Sequence, residues 1–150
     1  MKSRNGKSAM TTAAWEHFEH RADIGVRGTG RDMAEAFSQA ALAMTAIITD
    51  PAGVKPVQSV HLECSETDAE LLFVDWLNQV IFEMATRKML FSRFDVHIND
   101  AGKLRAEIRG ETIDRTRHVP AVEIKGATFT ELSVRQQADG SWLAQCVVDV

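Results

Sequence analysis

Only two stretches of this chain have a hydrophobic period near 3.6. Nearly everything else that is patterned alternates with a period of two, and that division limits the possible folds more than any single motif does. The first helical stretch, "RDMAEAFSQAALAMTAIITD" (residues 31–50), sets Ala34, Phe37, Ala41, Met44 and Ile48 three and four apart along one stripe. Asp32 with Glu35 three residues later fits a helix start, with Thr29 as the alternative cap. Pro51 ends the run because it has no N–H to continue the ladder. The second stretch, "SETDAELLFVDWLNQVIFEMATRK" (65–88), opens on a capping box from Thr67 and Glu70. Its apolar stripe is broad (Leu71, Leu72, Trp76, Leu77, Val80, Ile81, Met84), so it is expected to lie across a sheet.

Around these helices the pattern is extended. "WEHFEHRADIGVRGTG" reads as two strands meeting near Ala22 and Asp23, and "VQSVHLEC" places Val60, Leu62 and Cys64 on one face. "FSRFDVHI" and "LRAEIRGE", joined by the turn "NDAGK", make a hairpin. "VEIK", "FTELSVRQ" and "WLAQCVVDV" are further strands, with "ADGS" turning the last pair. Strands, helix, strand, helix and a run of strands imply a single α+β domain. Two helices then pack on a largely antiparallel or mixed β-sheet, with too few helices for a doubly wound parallel one.

The chain's 150 residues are enough for one domain that buries roughly 70% of its unfolded surface. The first 13 residues, beginning "MKSRNGKSAM", read as a disordered tail before a domain over 14–150. Lys2, Arg4 and Lys7 have no apolar segment behind them, which argues against a secretory signal, and no run approaches the roughly 20 apolar residues of a membrane span. Cys64 and Cys146 sit in apolar alternations and read as buried, reduced thiols, so a cytoplasmic location is expected. Seventeen Lys and Arg against 21 Asp and Glu leave a charge of -4, which counts against direct nucleic-acid binding.

The chemistry-bearing residues are few. His17 and His20 would point to opposite faces of a strand and neither cysteine belongs to a CxxC pair, so zinc is not expected. "GVRGTG" lacks the lysine of a phosphate loop, and no serine stands in a nucleophile elbow. His61, His97 and His118 read as strand or loop residues, with His118 of interest for its nearness to Lys125. In "LAQCVVDV", Leu143, Gln145, Val147 and Asp149 share one strand face. Asp149 is followed by Val150 and its α-carboxylate, and the repulsion between two such negative groups is relieved by solvent, a cation or a basic side chain. Asp23 is open to three roles: a turn acceptor, a partner for a distant lysine, or a metal ligand. Glu123 and Lys125 are expected on one strand face, opposite Val122 and Ile124. Should Asp23 and Asp149 converge, their oxygen-only set suits Ca²⁺ or Mg²⁺ better than zinc.

Four motifs in order, "EHRADIGVRGTGRDMAEAFSQAALAMTAIITD", "LLFVDWLNQVIFE", "VEIKGATF" and the closing "VVDV", give the chain a resemblance to the archease family from about Glu19 to Val150. Archeases are small cytoplasmic accessory proteins of RtcB-type RNA ligases. The resemblance implies an activator, not an enzyme, that speeds guanylylation of the ligase and sustains multiple turnover in tRNA splicing or RNA repair. A broader chaperone role toward tRNA-modifying enzymes goes with the family as well. The resemblance further implies a divalent cation (Ca²⁺ first, Mg²⁺ or Mn²⁺ as alternatives) held by Asp23 and Asp149 with Val150, and a functional lysine at Lys125. His20 matches the first position of the His-x-x-Asp motif, and Glu123 and His118 stand as supporting candidates. Arg21 replaces the family's usual threonine, and "GATFT" departs from its usual run after the lysine, in a chain with no tyrosine. The competing readings are a metal-dependent phosphoester hydrolase and a general chaperone.

Overall fold

The computed structural model describes residues 13–150, so the tail expected over 1–13 lies, through residue 12, outside the described residues. The elements run β1 (Ala14–His20), β2 (Asp23–Gly30), α1 (Met33–Ile48), a 3-10 turn at Pro51–Gly53, β3 (Gln58–Ser65), α2 (Ala69–Arg87), β4 (Met89–Ile98) and β5 (Lys103–Thr112). They continue with α3 (Arg115–His118), β6 (Gly126–Ala127), β7 (Ser133–Gln136) and β8 (Trp142–Asp149).

The helix termini follow from local hydrogen bonding. At α1 the Asp32 carboxylate accepts from Glu35 N at 2.8 Å, while the Glu35 carboxylate reaches back to Arg31 N at 2.8 Å. At α2 the expected Thr67–Glu70 box is not what forms. Asp68, one residue later, caps the helix and accepts from Glu70 N at 2.8 Å and Leu71 N at 3.1 Å. An aspartate placed there satisfies two orphan donors at once.

The domain is α+β, with helices on antiparallel strands, but the strands divide into two sheets instead of forming one. β1-β2-β8-β6, with β7 also on β8, make the first sheet, and β3-β5-β4 the second. Every strand pair is antiparallel. The β4–β5 hairpin turns through Gly102 at φ 80, and the Asn99 side chain accepts from Ala101 N and Lys103 N. "VEIK" is not a strand: only Gly126–Ala127, just beyond it, pairs with β8. Ile124 is buried while Val122 is exposed, so these two do not share a face as expected.

The helices join the two sheets. α1 lies on β2 and β4, with Ser38 Oγ donating to Phe94 O at 2.7 Å and Thr45 Oγ1 to Phe91 O at 2.6 Å. Gly28 of β2 sits so close that a Cβ there would meet the Ala36 carbonyl oxygen and Ala40 N of α1. Phe37, Met44, Phe73, Trp76, Leu77 and Phe91 are fully buried, each such side chain contributing roughly 1.5–3 kcal/mol. Trp76 also satisfies its indole N–H on Phe37 O at 2.9 Å, which ties α2 to α1. Both cysteines are free, and burial pushes the Cys146 thiol up to about 12 and the Cys64 thiol up to about 11, so neither is poised to react. No helix among the described residues is long and apolar enough to cross a membrane.

Candidate functional site

β8 is the middle strand of the first sheet and is buried on both faces along most of its length, with Asp149 emerging exposed at its end. Its register against β2 pairs Ile24 with Val148. That is the last pair of the register, and Asp23 and Asp149 each stand one residue beyond it, at the same end of the two strands. Val150 N donates to Asp23 Oδ1 at 3.4 Å, which fastens the two ends together. On the other side of β8, Gly126 is the partner of Asp149, and Lys125 N donates to Asp149 O at 2.7 Å. Three segments far apart in sequence thus meet at one corner of the sheet.

His20 is opposite Asp23 across the β1–β2 hairpin, so antiparallel pairing puts the two on the same face. The hairpin turns through Arg21 and Ala22, and Arg21 takes φ 55, a left-handed conformation that favours glycine or asparagine. Asp23 and Val150 are half-buried, whereas Asp149, Lys125 and Glu123 are exposed. Among the described residues no lysine or arginine pairs with either carboxylate. Nor do three or more His, Cys, Asp or Glu side chains gather there as a metal site. The donor set at this corner is therefore two carboxylates plus main-chain oxygens. That chemistry fits a hard cation, but it falls short of the six to eight oxygens that Ca²⁺ takes. Water or a partner would have to complete the shell.

His118 belongs to a different cluster. It is 5% exposed, and Nδ1 accepts from Asp114 N at 2.8 Å, which leaves Nε2–H to donate to Glu111 Oε2 at 3.0 Å. Glu111 also accepts from Arg117 Nη2 at 2.6 Å and Lys55 N at 2.7 Å. The Arg117 guanidinium, then the Lys55 N–H, hold its carboxyl down to about 2. Thr49 Oγ1 closes the group by donating to His118 O at 2.6 Å. Both ring nitrogens of His118 and both carboxylate oxygens of Glu111 are engaged by the chain itself, and no hydrogen bond or ion pair among the described residues joins them to Lys125.

Sequence spacing singles out neither Glu111 nor Asn78, an α2 residue whose Oδ1 accepts from Ala127 N at 2.9 Å. The one available signal for Asn78 is a poor helix former inside an otherwise strong helical run.

Comparison with known proteins matches residues 15–150 to the model of the Archease protein family. A "Protein archease" of Thermococcus gammatolerans is 34% identical over 139 residues, covering 91% of this chain and 98% of that one. A "Protein archease" of Pyrococcus furiosus is likewise 34% identical, with the same coverage. The solution structure of Methanobacterium thermoautotrophicum protein 1598 superposes with a TM-score of 0.80 at 31% identity, covering 91% of this chain and 99% of that one.

Proposed function

The chain belongs to the archease family, whose members are activators of RtcB-type RNA ligases, and from that premise we propose that it promotes guanylylation and multiple turnover of such a ligase through the corner formed by Asp23, Asp149 and Lys125. Asp23 and Asp149, with Val150 beside them, would hold a divalent cation of the Ca²⁺ or Mg²⁺ kind, and the open positions are left to water or the ligase. When bound, such an ion would supply positive charge toward phosphate oxygens. Lys125, tied to Asp149 through its backbone N–H, adds an exposed cationic side chain at the same corner, suited to steadying a phosphate of the nucleotide. Neither role requires a nucleophile from this chain. The acceleration would come from placing charge where the partner's reaction needs it.

The observation that carries this reading is the backbone bond from Lys125 to Asp149, beside the bond from Val150 N that fastens Asp23 to the same strand end. The exposed flanks of the corner suit insertion into a partner, while the doubly buried β8 behind it keeps the corner from yielding. The test is guanylylation of the cognate ligase, followed with and without this protein and with Asp23→Ala, Lys125→Ala and Asp149→Ala. Stimulation by the wild-type chain and its loss in the three variants is the expected result. Wild-type protein that leaves rate and turnover unchanged at every ratio to ligase would overturn it.

A further inference from the structure

We propose that Asn78 is the positioning residue for Lys125, acting through the Ala127 N–H; this rests on the reading that Lys125 serves the activating corner. Lys125 lies on a strap, residues 119–132, that has only two residues of strand. A pairing that short is weak by itself. The strap is held at its start by Ala121 N donating to Ile48 O at 2.8 Å and by the buried side chain of Ile124. On the β8 side, Lys125 N bonds Asp149 O, and Thr128 N and Oγ1 both bond Val147 O at 3.0 and 2.8 Å.

All of those β8 contacts pull the strap toward one neighbour. Asn78 braces it instead from α2. Among the described residues it is the only side chain from outside the strap that accepts from a backbone N–H within it. Its own position is fixed, because Trp76 and Leu77 before it and Val80 after it are buried in the core. A register set by the core is thereby passed to Ala127, two residues from Lys125. Asparagine is a worse helix former than leucine or glutamine, so local helix stability does not account for its presence here.

The test compares Asn78→Ala, Asn78→Asp, Lys125→Ala and the double variant Asn78→Ala/Lys125→Ala of the full chain in the ligase guanylylation assay, with exchange of the Ala127 amide followed by NMR. Asn78→Ala is expected to lower maximal stimulation on the order of tenfold, as small misplacements of an acting group do. Its Ala127 amide should exchange faster, with protection elsewhere in the first sheet retained. Asn78→Asp keeps an acceptor oxygen in place and is expected to restore both. In the Lys125→Ala background, adding Asn78→Ala should cost nothing more. Additive losses, failure of Asn78→Asp to rescue, or full stimulation by Asn78→Ala while Lys125→Ala is inactive would each overturn the proposal. A Lys125→Ala chain that stimulates normally removes the functional reading beneath it, an outcome separate from whether Ala127 exchange responds to Asn78.

Discussion

Glu111 and Asp149 are both carboxylates at the far ends of strands, β5 and β8, and they meet opposite fates. Glu111 is nearly buried and accepts from a guanidinium, an imidazole and a backbone N–H. Asp149 is exposed, lies at the same strand end as the carboxylate of Asp23 and has no basic partner among the described residues. The first arrangement spends its charge inside the molecule, joining α3 and the Lys55 loop to the second sheet. The second leaves charge directed outward. A partnered ionic cluster is thus a piece of architecture, and two carboxylates at neighbouring strand ends with no basic partner are the better candidate for an encounter with something else.

That contrast can be broken by mutation. Glu111→Ala strands the Lys55 N–H and two cationic or polar side chains, and is expected to lower stability by about 2–3 kcal/mol in a urea titration. Acid should reveal the same group. With its folded value held near 2 against an ordinary 4.5, Glu111 contributes fully above 4.5, and the contribution drains away as pH falls toward 2. A Glu111→Gln chain is therefore expected to show a flatter loss of stability across that window than wild type. An equally steep acid limb in both would mean that the carboxylate is not held as described. Thr49→Val removes one hydrogen bond to His118 O and should cost about 1 kcal/mol by thermal unfolding. At the other end of the scale, Asp149→Asn should change stability by less than about 0.5 kcal/mol, since the residue is exposed. The same variant should bind Ca²⁺ more weakly by calorimetry. If Asp149→Asn destabilises the fold as much as Glu111→Ala, the distinction between the two carboxylates collapses.

The helices were the most legible parts of the sequence, because Phe37, Ala41, Met44 and Ile48 report a buried stripe directly. The β4–β5 hairpin was legible for the same reason, with Leu104, Ala106 and Ile108 facing the core. The division into two sheets was not. Alternation records which side chains are covered, and it does not record which strand is the neighbour. "VEIK" misled for a related reason: one buried residue, Ile124, among exposed ones imitates a strand in a segment that is only a strap. The Thr67 cap failed by a single position, since Thr67 and Asp68 are both good caps and backbone geometry chose between them. At the candidate site, Asp23, Asp149 and Lys125 were nameable from their motifs, and their meeting required the register of three strands. His118, by contrast, attracts attention in the sequence only by its nearness to Lys125, whereas the folded chain gives it to Glu111.

The central place of β8 has a consequence for how the molecule is made. During synthesis β1, β2 and α1 emerge early, yet β2 must wait for β8, which pairs Ile24 with Val148 across most of the polypeptide. Such distant closure is slow and leaves the inner edge of β2 bare in the meantime. The corner with Asp23 and Asp149 accordingly takes shape only when β8 docks on β2, after the strands that precede it have formed.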